Sequence, residues 1–234
     1  MNNIDKLIWN EDLIRRYDLS GPRYTSYPTA VQFDGEFGAK DCISASDNCR
    51  GSSAPLSLYV HIPFCKRLCW FCACRTQGTQ STAPILAYLE TLKTEVATLA
   101  KHLPEGITLE RFHWGGGTPT LLSPEMITDL AGEILAVTPM AQDGEFSVEI
   151  DPSEVDGPRL DALAAAGMNR ASIGVQDFDP EIQKCIGREQ SYETTRDAID
   201  MIRERGVQSL NADILFGLPH QTKGKITESV QKLL

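Results

Sequence analysis

The sequence predicts an α/β protein built on parallel strands, and two observations carry that prediction. From residue 56 onward, short apolar strand patterns alternate with helical stripes through five repeats. Such alternation builds parallel strands joined by right-handed crossovers, closed as a barrel or left open as a doubly wound sheet. The residues able to do chemistry also fall after strands rather than after helices, where both architectures place their sites.

Before that repeat, residues 1–17 carry Ile4, Leu7, Ile8, Leu13 and Ile14 near helical spacing and predict a short amphipathic helix. Gly21, Pro22 and Pro28 force an extended, hydroxyl-rich segment in which Arg23 lies among Tyr24 and Tyr27, suited to a carboxylate or to a plain surface loop. Residues 44–55 are small and polar and read as a linker, so 1–55 is expected to be an N-terminal extension and 56–234 the core domain.

The first strand is expected over 56–61, and its helix over 84–102 on a stripe of Ile85, Leu86, Leu89, Leu92, Val96 and Leu99. A second strand follows over 109–114, with Ser123, Pro124 and Glu125 opening its helix as cap and first turn. The third spans 146–150, before an alanine-rich helix over 158–166 that Gly167 closes. The fourth spans 170–175, with helix between 180 and 205 ending at Gly206; the fifth spans 209–215, with a last helix over 222–234. That helix pattern has neither a cap nor a polar tail, so a truncated chain with a closing strand still to come is expected.

Composition narrows the function. With 22 Lys and Arg against 32 Asp and Glu, the net charge of −10 opposes a broad polyanion surface, and no nucleic-acid partner is expected. An acidic small substrate would need a local arginine cluster. The opening Met1-Asn2-Asn3-Ile4-Asp5-Lys6 lacks an apolar leader, and no long uncharged apolar segment follows. A cytoplasmic chain with reduced thiols and no membrane span is therefore expected. Cys42, Cys49 and Cys185 have no ligand spacing among themselves and read as bystanders.

The densest signal is Cys65-Lys66-Arg67-Leu68-Cys69-Trp70-Phe71-Cys72-Ala73-Cys74, four thiols in ten residues directly after the first strand. A tight loop can aim Cys65, Cys69 and Cys72 at one point. Three thiolates hold three irons of a [4Fe–4S] cubane and leave the fourth iron open for cofactor chemistry. Structural zinc is the alternative, but closed zinc sites usually pair this kind of cluster with a second one, which the sequence does not show. Gly115-Gly116-Gly117-Thr118-Pro119, after the second strand, either bares its backbone to a cofactor or makes a plain turn. Glu149 and Asp213 suit hydroxyl or amino donors, and Gln176 and Arg188 suit polar edges or a carboxylate, though each also suits a solvated or capping role. Trp70 and Phe71 would shield a cluster or stack on a flat ring. His61 and His113 read as packed, hydrogen-bonded histidines.

The Cys65, Cys69, Cys72 spacing together with the 115–119 motif resembles the radical S-adenosylmethionine enzymes. The segments 21–30, 60–65, 113–120 and 174–178 further resemble the oxygen-independent coproporphyrinogen III oxidase family, over nearly the whole chain. That resemblance implies an incomplete parallel (β/α) barrel of about five units, with a [4Fe–4S] cluster on Cys65, Cys69 and Cys72 whose open iron is chelated by S-adenosylmethionine. It further implies a 5′-deoxyadenosyl radical that takes hydrogen from propionates of coproporphyrinogen III. Loss of carbon dioxide and an electron then leaves the vinyl groups of protoporphyrinogen IX. Tyr59, Gly116 and Glu149 match contacts to one S-adenosylmethionine. Phe71, Gly117, Thr118, Gln176, Arg188 and Asp213 match contacts to a second.

Cys74 matches a thiol involved in activity without ligating the cluster, and Arg23 belongs to the substrate side. The implied partners are a flavodoxin- or ferredoxin-like reductant and an electron acceptor, around a monomer. Ala73 departs from the family's usual glycine. Family members are longer, so a non-catalytic cluster or tetrapyrrole binder stays open as an alternative. The related haem chaperone lacks both the 22–28 segment and the extra thiol present here.

Overall fold

The computed structural model describes residues 12, 15, 16, 29, 32, 33, 35–48 and 55–234. The chain divides into two compact units, Met1–Ser44 and Ala45–Leu234. Of the helix expected over 1–17, Asp12, Arg15 and Arg16 are described and are helical; its remainder, together with Arg23 and Cys49, lies outside the described residues. Helix α1 (Ala39–Asn48) opens where the Gly38 N–H donates to Asp41 Oδ2 at 2.8 Å, half of a capping box. It overturns the linker reading for residues 44–48. Small polar side chains with no apolar stripe hid a helix that a local cap starts.

The remaining elements are β1 (Leu56–Ile62), β2 (Phe64–Cys65), β3 (Gln77–Gly78), α2 (Ala83–Ala100), β4 (Leu109–Gly116), α3 (Pro124–Val137) and β5 (Met140–Ile150). They continue as α4 (Gly157–Ala165), β6 (Arg170–Gln176), α5 (Pro180–Cys185), α6 (Tyr192–Glu204), β7 (Ser209–Ile214) and α7 (Lys223–Leu233). Side chains cap the helices as their sequences suggest: Ser123, Asp156, Ser191 and Thr222 each accept the N–H three residues on.

Five strands pair in the order β1-β4-β5-β6-β7, all parallel, with β1 and β7 as the edges. Each strand has two faces, because successive side chains point to opposite sides of a sheet. Val60, Ile62, Phe112, Trp114, Phe146, Val148, Ile150, Ala171, Ile173 and Val175 are buried in the core with Ile85, Leu89, Ile127, Leu130, Ile134, Leu160, Leu163 and Ile202 from the helices. Phe112 stacks on Phe146 with centroids 4.3 Å apart, and the Trp114 ring meets both edge-on. The intervening residues are Tyr59 and His61, His113 and Gly115, Ser147 and Glu149, Ser172 and Gly174, and Asn211 and Asp213. The face opposite the core is therefore polar along every strand.

Two boundaries differ from expectation. β5 starts at Met140 rather than at residue 146, through a bulge that pairs Leu109 with Met140 and Arg111 with Glu145. Gly144 makes it possible, since a Cβ there would lie 2.8 Å from the Leu109 carbonyl oxygen. The helical stretch over 180–205 is broken into α5 and α6 by a turn at Gly187, whose φ is +67°.

Candidate functional site

The cysteine loop is closed at its base before any cofactor is considered. β2 and β3 pair in parallel, Phe64 with Gln77 and Cys65 with Gly78. The Gln77 N–H donates to the Pro63 carbonyl at 2.7 Å and the Thr79 N–H to the Cys65 carbonyl at 2.9 Å. Within the loop, the Cys72 N–H reaches the Cys69 carbonyl at 3.2 Å, and the Trp70 N–H docks on the Ile186 carbonyl at 3.0 Å. Cys65, Cys69, Cys72 and Cys74 consequently line one cavity of about 230 Å³ at the C-terminal ends of the strands. Phe71, Gly116, Gly117 and Thr118 line it from the cysteine loop and the end of β4; Glu149, Gln176, Arg188 and Asp213 complete it from β5 onward.

One wall is carried on strands. Glu149 receives the Gly116 N–H on Oε2 at 3.0 Å and faces His113 Nε2 with Oε1 at 3.4 Å. Burial pushes the Glu149 carboxyl up, but these bonds and the nearby imidazoles more than offset it, leaving it below the usual carboxylate range. Tyr59 does not line the cavity. It stacks on His113 and shares a hydrogen bond with His61 Nδ1 at 2.9 Å. His61 Nε2 lies 2.9 Å from the Arg75 carbonyl, so Nε2 donates there while Nδ1 faces the Tyr59 hydroxyl.

The glycines face the chain's own groups. A Cβ at Gly115 would sit 2.8 Å from the Glu149 carboxylate, at Gly116 2.6 Å from the His61 ring, and at Gly117 2.6 Å from the Phe64 carbonyl oxygen. Gly116 also has φ +111°. The triplet clears space for internal packing, a need that its sequence alone does not disclose.

The other wall is carried on loops. Arg188 donates to the Gly174 carbonyl at 3.0 Å and to Cys69 Sγ at 3.6 Å, and pairs with Asp151 at 3.4 Å. The same Asp151 oxygen pairs with Arg67 at 3.5 Å, and Arg67 donates to the Glu189 carbonyl at 2.9 Å. Asp151 and Arg67 thus belong to the cavity, although nothing in their local sequence marked them as a pair. Gln176 turns into the cavity with φ +72°, a left-handed conformation rare outside glycine. Asp213 is held by Ser172 Oγ and Asn211 Nδ2 at 3.2 and 2.8 Å. Trp70 is 77% exposed, its indole against Gly187. It therefore does not shield the thiols, whereas Phe71 is half-buried on the cavity wall. Asp177 is fully buried and bonded to Ser229 and Gln221, which makes it an anchor for the last helix rather than a ligand.

His61 and His113 are the packed, hydrogen-bonded histidines that the sequence suggests. Ser172 and Asn211 were missed, yet they occupy alternate positions of strands whose other face is apolar.

The thiols are tuned by each other. Burial raises Cys65, with a hydrogen bond from Thr118 opposing it, and partial burial beside Cys72 and Glu149 pushes Cys74 up to about 11. The donor set fits a [4Fe–4S] cluster: three thiols, Cys65, Cys69 and Cys72, line one cavity. Among the described residues no three His, Cys, Asp or Glu side chains are arranged to share a single metal ion. A cubane places its thiolates on separate irons. The buried Arg188 Nε, which has no hydrogen-bond partner among the described residues, fits an anionic or carbonyl acceptor in the same cavity.

Residues 59–233 match the Radical SAM superfamily, and the chain belongs to it. Membership brings a [4Fe–4S] cluster and S-adenosylmethionine as cofactors. Among curated relatives, the chain is 60% identical over 221 residues to the oxygen-independent coproporphyrinogen III oxidase of Paracoccus denitrificans, covering 93% of this chain and 48% of that protein. It is 42% identical over 220 residues to the Escherichia coli enzyme of the same name, again covering 48% of it. The chain spans about half the length of the curated relatives it matches. The solved structure of the coproporphyrinogen III oxidase from Escherichia coli superposes with a TM-score of 0.85 and 38% identity, over 96% of this chain and 50% of that one. The parallel β/α array is accordingly the incomplete barrel that the family resemblance implies, one of the two architectures that the alternation left open. Among the described residues no helix is long and apolar enough to cross a membrane.

Proposed function

We propose that this chain is the cluster-bearing portion of an oxygen-independent coproporphyrinogen III oxidase, which converts propionate groups of coproporphyrinogen III to vinyl groups in haem biosynthesis. The observation that supports this most directly is the single cavity that collects the cysteine thiols with Phe71, Gly116, Gly117, Thr118, Glu149, Gln176, Arg188 and Asp213. Those are the positions that the family resemblance singles out. When bound, the cluster and S-adenosylmethionine supply the radical chemistry that removes a substrate hydrogen.

In this reading Cys65, Cys69 and Cys72 hold the cluster. Glu149, kept ionised at neutral pH, and Asp213 take hydrogen bonds from cofactor hydroxyl or amino groups. Arg188 offers a guanidinium to a carboxylate, and Thr118, Gly116 and Gly117 line the same cavity. Cys74 stays off the cluster as a protonated thiol near neutral pH. Arg23 and its tyrosine neighbours belong to the substrate side, where a guanidinium suits propionates. The reductant is a small flavodoxin- or ferredoxin-like protein, and the enzyme works as a cytoplasmic monomer.

Anaerobic reconstitution with iron and sulfide, followed by reductant, S-adenosylmethionine and coproporphyrinogen III, tests the proposal. The expected products are 5′-deoxyadenosine and vinyl porphyrinogen, both absent with Cys69→Ala. A cluster that cleaves S-adenosylmethionine but leaves coproporphyrinogen III intact would sink the substrate assignment. Stoichiometric zinc with no cluster would sink the whole reading.

A further inference from the structure

Tyr59 and Glu149 lie on different strands, yet one ring contacts both. His113 pairs directly with Tyr59 across β1 and β4. The two rings stack with centroids 5.6 Å apart and an interplanar angle of 16°, while the edge of the same imidazole presents Nε2 to Glu149 Oε1 at 3.4 Å. Tyr59 is 54% exposed on an edge strand. His61 holds its hydroxyl at 2.9 Å and meets the ring at a tilt of 56°, with centroids 5.8 Å apart, whereas only His113 stacks on its face. Glu149 is held on its other oxygen by the Gly116 N–H at 3.0 Å, in space that Gly115 leaves by lacking a Cβ. His113 itself does not line the cavity.

We infer that His113 is a positioning residue for the S-adenosylmethionine site, seating Tyr59 with its ring face and aiming the Glu149 carboxylate with its ring edge. This rests on the proposed role of Glu149, which lines the cavity, and on the family resemblance that matches Tyr59, outside that lining, to an S-adenosylmethionine contact. A ring spanning both residues couples them, so that losing it loosens two contacts at once. The ring therefore acts on affinity for the cofactor through its neighbours, without touching the reacting atoms.

The test separates face from edge in the cluster-reconstituted full chain. S-adenosylmethionine affinity is measured by equilibrium dialysis for His113→Phe, which keeps a ring but no donor, and His113→Gln, which keeps a donor but no ring. Glu149→Gln, Tyr59→Leu and the matching double variants complete the cycles.

Each His113 variant is expected to weaken S-adenosylmethionine binding roughly fivefold, the scale of one ordinary hydrogen bond for His113→Phe and of one ring contact for His113→Gln. His113→Phe should add little on top of Glu149→Gln, and His113→Gln little on top of Tyr59→Leu, because each pair removes one shared contact. A merely structural His113 would instead give additive losses, or equal losses in every background, and either result overturns the inference. Wild-type affinity in both His113 variants, with Glu149→Gln still impaired, also overturns it while leaving the site reading intact. Wild-type affinity in Glu149→Gln and Tyr59→Leu as well would overturn the site reading together with it.

Discussion

The cavity has two walls built by different means. On the β1-β4-β5 side, Glu149 lines the cavity and is supported by His113, which with Tyr59 and His61 projects from neighbouring strands, while Gly115 and Gly116 leave room for Glu149 and His61. On the opposite side, Arg67 and Arg188 come from loops and converge on one carboxylate, Asp151, from positions far apart in the chain. The strand wall is positioned by a hydrogen-bonded ladder that exists whether or not the site is used. The loop wall is positioned by the very side chains that line it. Rigidity on the first side comes from backbone, and on the second from ion pairs and hydrogen bonds. Changes to the two walls should therefore fail differently.

The largest expected effect tests whether the walls communicate electrostatically. In the cluster-free protein Cys74, pushed up to about 11, is ionised at pH 8 to only about one part in a thousand, so it should be alkylated about a thousandfold more slowly than a fully ionised thiol. Glu149→Gln should speed that reaction, since the carboxylate is one of the groups that raises the thiol; an unchanged rate would show the walls to be independent.

Next in size is Gly117→Ala. The added Cβ would meet the Phe64 backbone at 2.6 and 2.9 Å, and backbone gives way far less than a side chain. A loss of about 2–3 kcal/mol in urea unfolding is expected. Gly115→Ala meets only the Glu149 side chain and should cost less stability while displacing that carboxylate. Equal losses at the two positions would erase the distinction between backbone-held and side-chain-held parts.

Asp151→Asn removes the charge that both arginines share while keeping its shape. About 1–2 kcal/mol of stability should go, because the pairs are partly screened at 3.4–3.5 Å but nearly enclosed. Limited proteolysis should then cut first within residues 66–75, and cutting elsewhere first would mean that the loop is held by its base alone.

The smallest effect is in pH. The Glu149 carboxyl is depressed in the folded protein, so its ionisation adds stability above the ordinary carboxylate range, and this is lost as pH falls through its folded value. Thermal unfolding followed on acidification should show a shallower loss for Glu149→Gln than for wild type. Parallel curves would remove Glu149 from the strand wall's stability.

Sequence and structure divide along the same line as the walls. Alternating apolar residues such as Val60 and Ile62, Phe112 and Trp114, or Ile173 and Val175 place the strands, and the cap residue Ser123 places a helix start, because both signals lie within a few residues of what they determine. The spacing of Cys65, Cys69 and Cys72 is equally local, and so was legible as a cluster loop. The helix over Ala39–Asn48 escaped because its short polar sequence has a cap but no stripe.

What needed tertiary structure is of another kind. Nothing near Asp151 announces two arginines, nothing near Cys69 announces a guanidinium 119 positions away, and nothing in the glycine triplet tells which group fills each missing Cβ. Trp70 reads as a shield but faces out, since its backbone docks on Ile186. By itself the sequence determined the parallel β/α scaffold and the thiol loop, through periodicity and spacing that act at short range. Only the tertiary structure decided which charges meet and which ring spans two strands, because those contacts depend on strand register and loop docking between residues remote in the chain.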